Sequence, residues 1–119
     1  MIKVTRMQYG WLTLHINERA FGVSYLSAFK EEMDDLLNLP YDNMTVNRIL
    51  LDGEGIDLYL TAWRLFDILV IVWEVATDIP RIDTMIFDYN EFMKDYKVMW
   101  DEIKDNYQRD FLMEDADKK

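Results

Sequence analysis

The longest unbroken apolar run in the chain is Ile68-Leu69-Val70-Ile71-Val72-Trp73. A run of this kind, rich in β-branched residues, predicts a central strand buried on both faces. Other segments alternate instead. Leu12, Leu14 and Ile16 interleave with Trp11, Thr13 and His15, the period-two mark of a strand with two unlike faces. Asn17-Glu18 can turn the chain, and Phe21, Val23 and Tyr25 then alternate with Ala20, Gly22 and Ser24, which predicts a hairpin. Ile56, Leu58, Leu60 and Ala62 alternate with Asp57, Tyr59, Thr61 and Trp63. Asp52-Gly53-Glu54-Gly55 is the strongest turn signal and joins that strand to a shorter one at 48–51. The turn between the second and third strands of this meander falls at 64–66, where turn-forming residues are missing. Ile79-Pro80-Arg81 closes the sheet region.

Two segments carry helical spacing. Over 27–38, Phe29, Met33, Leu36 and Leu37 fall on one side, and Glu31, Glu32, Asp34 and Asp35 on the other. Ser27 is placed to cap the first turn, and Pro40 bars Leu39 from the helical region. Near the carboxyl end, Phe92, Tyr96, Trp100, Ile103, Tyr107 and Phe111 recur at three- and four-residue intervals. Asp88 and Glu91 stand in capping-box spacing, and Phe87 and Phe92 in that of a hydrophobic staple.

The expected order is β-β-α-β-β-β-α. Strand clusters separated by single helices point to an α+β domain rather than alternating α/β. The expected architecture is one mostly antiparallel sheet of about five strands with both helices on one face, over residues 1–113. Residues 114–119 are expected to form a frayed polar tail.

Composition narrows the function classes. The chain has 119 residues, half of them apolar, which suits one packed domain. It has no Cys, so it can build neither a disulfide nor a thiolate site, and a cytoplasmic location is expected. Thirteen basic against 23 acidic side chains give a net charge of −10. That field disfavours nucleic acid and anionic membrane surfaces and can steer a basic protein partner. The apolar stretch 58–76 contains Arg64, Asp67 and Glu74. Each would cost about 3 kcal/mol at mid-bilayer, so the stretch reads as two strands and not a membrane span.

Candidate chemistry is sparse. His15 is the only histidine; it has the right acidity for a general base but no nucleophile placed with it, and reads more simply as a structural or surface residue. Asp52, Glu54 and Asp57 could suggest a cation site, but they lack a calcium-loop pattern and fit a solvated hairpin tip. There is no phosphate-cradling glycine loop and no nucleophile elbow. No catalytic residue, metal or cofactor is therefore assigned.

The remaining signal is aromatic. Trp11 and His15 oppose one aliphatic stripe, Tyr59 and Trp63 another. If helices cover only the stripes, these four share an open face with Thr13 and Thr61, and such a face can bind a partner. Asp101, Glu102 and Asp105 on the last helix are the acidic candidates for steering. The expected function is a non-enzymatic interaction module, an inhibitor or immunity-type protein acting on a basic partner. The alternatives are a small-molecule binder or enzyme with a site near His15, and a homo-oligomer whose open face pairs with itself.

Overall fold

The computed structural model describes residues 1–42 and 44–113. The chain runs β1 (Ile2–Gln8), β2 (Trp11–Ile16), β3 (Arg19–Ser24), α1 (Phe29–Leu37), β4 (Val46–Asp52), β5 (Asp57–Leu65), β6 (Ile68–Ala76), β7 (Arg81–Asp88) and α2 (Tyr89–Asn106), ending in a π-helical turn, Tyr107–Phe111. The class is α+β. The strands form two antiparallel sheets, β1-β2-β3 and β4-β5-β6-β7, in place of the single expected one.

The hairpins follow the alternation. Leu14 stands opposite Phe21, and Leu12 opposite Val23, so one face of the first sheet is aliphatic. In the second sheet Leu58, Leu60 and Ala62 of β5 align with Leu51, Ile49 and Asn47 of β4 on one side, and with Val75, Trp73 and Ile71 of β6 on the other. The inner faces of both sheets join α1 and α2 in one core containing Leu12, Leu14, Ile16, Phe29, Leu60, Ile71, Trp73, Phe92 and Phe111. The helix α1 packs against β4 and β5, and α2 against β1 and β7.

The start of α2 forms as its spacing predicts. Asp88 is the N-cap and its carboxylate accepts from the Glu91 N–H at 3.0 Å. The Phe87 and Phe92 rings lie 4.8 Å apart, closing the staple. The start of α1 differs from expectation. Ala28 is its N-cap, and no side chain caps it. The Ser27 hydroxyl instead accepts from the Asp52 N–H at 2.5 Å, which ties the end of β4 to the chain entering α1. The end of α1 is held from outside by the Asn47 amide, which donates to the carbonyls of Asp35, Leu36 and Asn38.

Two strands were not anticipated. In β1, Ile2 and Val4 face the core, but the ladder slips between Thr5 and Gln8 and Arg6 takes a left-handed φ of 52°. The bulge breaks the alternation. In β7, Ile82, Thr84 and Ile86 share one face, and Asp83, Met85 and Phe87 the other. Both faces are of mixed polarity, so no period shows. The turn after β5 is tight, with Phe66 at φ 56°. The tail expected at 114–119 lies outside the described residues.

Gly10 fixes the β1–β2 turn to the carboxyl end. Its N–H donates to the Asp110 carbonyl at 2.9 Å, and its own carbonyl accepts from Tyr25 at 2.7 Å. Its φ is +79°, and a Cβ there would lie 2.7 Å from the Tyr25 ring and 3.1 Å from the Met113 sulfur. Gly10→Ala is therefore expected to lower unfolding free energy by about 1–3 kcal/mol in a urea titration. Gly22→Ala, where the nearest atom to a new Cβ is 4.0 Å away, should stay within about 0.5 kcal/mol of wild type. Equal effects at the two positions would refute the assignment of strain to Gly10.

Candidate interaction surface

The run at the centre of β6 is covered on one side only. Leu69, Ile71 and Trp73 are buried, whereas Val70 and Val72 are half-buried and Ile68 is 44% exposed. The outer side of β6 over 68–72 is therefore apolar and only partly covered, which corrects the expectation of a doubly buried strand.

Register places three rows of side chains across that face. The first is Leu50, Tyr59, Glu74 and Ile82; the second Arg48, Thr61, Val72 and Thr84; the third Val46, Trp63, Val70 and Ile86. Ile68, opposite Leu65 and Asp88, continues the third row's apolar end. Trp63 is 39% exposed, Ile82 61% and Ile86 70%. Large contiguous exposed apolar areas are in general a mark of interaction sites.

The polar part of the face has its own structure. The Arg48 guanidinium lies 4.5 Å from the Tyr59 ring centroid and 3.3 Å from Glu74 Oε1, so a cation spans β5 and covers its tyrosine. The pair is solvent-exposed and contributes no more than about 1 kcal/mol. Among the described residues Arg48 is the only basic one on this face, while Asp52, Asp57, Glu74 and Asp88 share it. Arg64, of the opposite parity, is turned away at the sheet end. It lies 3.8 Å from the Tyr89 ring centroid and donates to the carbonyls of Leu39 and Phe66.

The residues singled out from the sequence do not assemble into one surface. Tyr59 and Trp63 sit in the second sheet's open face as described. Trp11 and His15 sit on the outer face of the first sheet, beside Lys3, Thr5, Ala20 and Gly22. His15 Nε2 lies 2.7 Å from Thr5 Oγ1. Its acidity is shifted so that it protonates less readily than usual, first by partial burial and then by Lys3 and Arg6. Asp101, Glu102 and Asp105 are exposed on α2, whose other side enters the core. The residues that sequence reasoning missed are Val46, Leu50, Ile68, Val70, Ile82 and Ile86. The unbroken apolar run at 68–73 was the available signal for two of them.

The helices offer a smaller concavity. A cleft of about 430 Å³ between them is lined by Lys30, Asp34, Met93, Tyr96 and Trp100. Its Lys30 lies 2.6 Å from Asp34 and 5.2 Å from the Trp100 ring centroid. The Tyr96 phenol donates to Asp34 at 2.7 Å, and burial holds its pKa far above the usual value. A second cleft of about 490 Å³, between β3 and the β6–β7 end, is crossed by the Arg19–Asp83 ion pair at 2.9 Å. Among the described residues no cluster of three His, Cys, Asp or Glu side chains could hold a metal ion. No helix among them is long and apolar enough to cross a membrane.

Comparison with family models, with curated proteins and with solved structures finds no match for this chain.

Proposed function

We propose that this protein is a non-enzymatic interaction module of the cytoplasm that captures a basic protein partner on the outer face of β4–β7. The observation that carries the reading is the open row of Val46, Trp63, Val70 and Ile86, flanked by Ile68 and Ile82. An aromatic anchor among β-branched neighbours, presented on a rigid sheet, matches the centre of a protein interface. Among the described residues, four carboxylates against one guanidinium on the same face select the partner's chemistry. It is an apolar patch bordered by Lys and Arg. Blocking such a patch is the work of an inhibitor or immunity-type protein, and it requires no catalytic group or cofactor of its own.

The test begins with affinity capture by the purified chain from its native host, followed by kinetics with the captured protein. Screening shortens the Debye length from about 30 Å at 0.01 M to about 8 Å at 0.15 M salt. The association rate is expected to fall about tenfold or more over that range, with the dissociation rate nearly constant. An association rate indifferent to salt would remove the basic partner from the reading.

A further inference from the structure

The backbone of β7 is bonded on one side only. Its ladder partner is β6, and it makes no other backbone hydrogen bond among the described residues; the nearest is Tyr89 N–H to Asp67 O, just past its end. Of the other three edge strands, β3 is shorter, with six residues, and two are covered in part. The outer side of β4 meets Ser27 and α1, and β1 lies under α2. Exposed edges are usually blunted by Lys, Pro or shortness. β7 is eight residues long and has neither Lys nor Pro within it; its inner-face carboxylate, Asp83, is paired with Arg19, and it exposes Ile82, Thr84 and Ile86.

We propose that β7 pairs antiparallel with β7 of a second copy, joining two four-stranded sheets into one of eight strands across a two-fold axis. In a symmetric antiparallel pair, opposed residues share a face, so only certain registers are open. Pairing centred on Asp83 sets two carboxylates directly opposite each other, which is unfavourable. Pairing centred on Met85 sets Ile82 against Asp88, the residue that caps α2. Centring on Thr84 avoids both. It places Thr84 against Thr84, Ile82 against Ile86, Asp83 against Met85 and Arg81 against Phe87. No like charges meet, and the isoleucines of the two copies close on each other. The two outer faces then lie side by side; the seam shares Ile82 and Ile86 with the partner-binding row proposed above, while Val46, Trp63 and Val70 stand one or more strands away from it.

The chain has no cysteine, so a single introduced thiol reports the geometry cleanly. Opposed Cα atoms in an antiparallel pair lie about 4.5–5.5 Å apart, within disulfide range. With oxidised glutathione, Thr84→Cys is expected to cross-link at least about tenfold faster than Met44→Cys, because pairing holds the thiols at a millimolar effective concentration. Met44, 83% exposed, lies off the proposed axis. Sedimentation equilibrium of the unaltered chain provides the second measurement. Its dimer fraction should rise with salt, since two chains of net charge −10 repel, the opposite sign to capture of a basic partner. A chain that stays monomeric at every salt concentration overturns the proposal. So does a dimer in which the two thiol variants cross-link at equal rates.

Discussion

Replacing Phe29 by Ala is expected to remove about 3–5 kcal/mol of stability, the range for deleting a fully buried aromatic ring. Phe29 is the first residue of α1 and has no exposed surface. Its ring centroid lies 5.8 Å from Trp100, 6.2 Å from Phe111 and 6.4 Å from Tyr107. Those three rings belong to α2 and the π-helical turn, so one side chain joins both helices. The space it vacates has little means of closing. The Tyr107 hydroxyl accepts from the Lys30 N–H at 3.1 Å, and Tyr107 stacks on Phe111 at 5.1 Å. Both would hold the wall in place around a cavity. With total stability of about 5–15 kcal/mol for a domain of ordinary size, the loss should be plain. At an m-value of about 1.5 kcal/mol/M, the urea midpoint falls by about 2–3 M. Leu26→Ala, at a residue 60% exposed, should move it by less than about 0.5 M. A loss below about 1 kcal/mol for Phe29→Ala would mean that the helices do not meet through this ring.

The legible parts of the fold are those where one signal was not opposed by another. The β2–β3 hairpin has clean alternation and a compatible turn at Asn17, which adopts φ 53°. The helix α2 has a periodic face, a carboxylate cap and a staple, all in agreement. The illegible parts carry conflicts. A bulge interrupts β1, and β7 mixes Ile with Thr on one side and Asp with Met and Phe on the other. Missing both strands reduced seven to five, and with five there was no reason to divide them between two sheets. The division then separated Trp11 and His15 from Tyr59 and Trp63. Period two reports which residues share a strand face, but not which strands share a sheet.

The run at 68–73 shows a different limit. Apolar residues at both parities predict burial on both faces. They are equally consistent with one buried face and one face kept apolar for another purpose. Hydropathy records the transfer preference of a side chain, not whether anything in the same chain covers it. Half of the candidate surface was therefore visible as pattern, and its exposure was visible only in three dimensions.

Trp63→Ala is expected to weaken capture of the partner by at least about 2 kcal/mol, roughly 30-fold in affinity, and mostly through faster dissociation. Trp63 stands between Val46 and Val70 in the third row, with Ile86 beyond. That is the apolar end of the face, away from the Arg48–Glu74 pair. Large rings in such positions lose the most on truncation, because their neighbours exclude water around them. The fold should tolerate the change, since the ring points away from the core and is 39% exposed. Trp11→Ala supplies the comparison, with a ring of similar exposure on the first sheet. It should leave affinity within about twofold if the second sheet alone forms the interface. Neutralising Asp101, Glu102 and Asp105 together should alter only the association rate. That effect should be slight at 0.15 M salt, because the core lies between α2 and the open face and the Debye length is about 8 Å. Dissociation measured for the three variants separates anchor from field. An unchanged dissociation rate for Trp63→Ala, with a faster one for Trp11→Ala, would move the interface to the first sheet. Changes confined to the α2 variant would place it on the helices, where Lys30, Asp34 and Trp100 line a cleft.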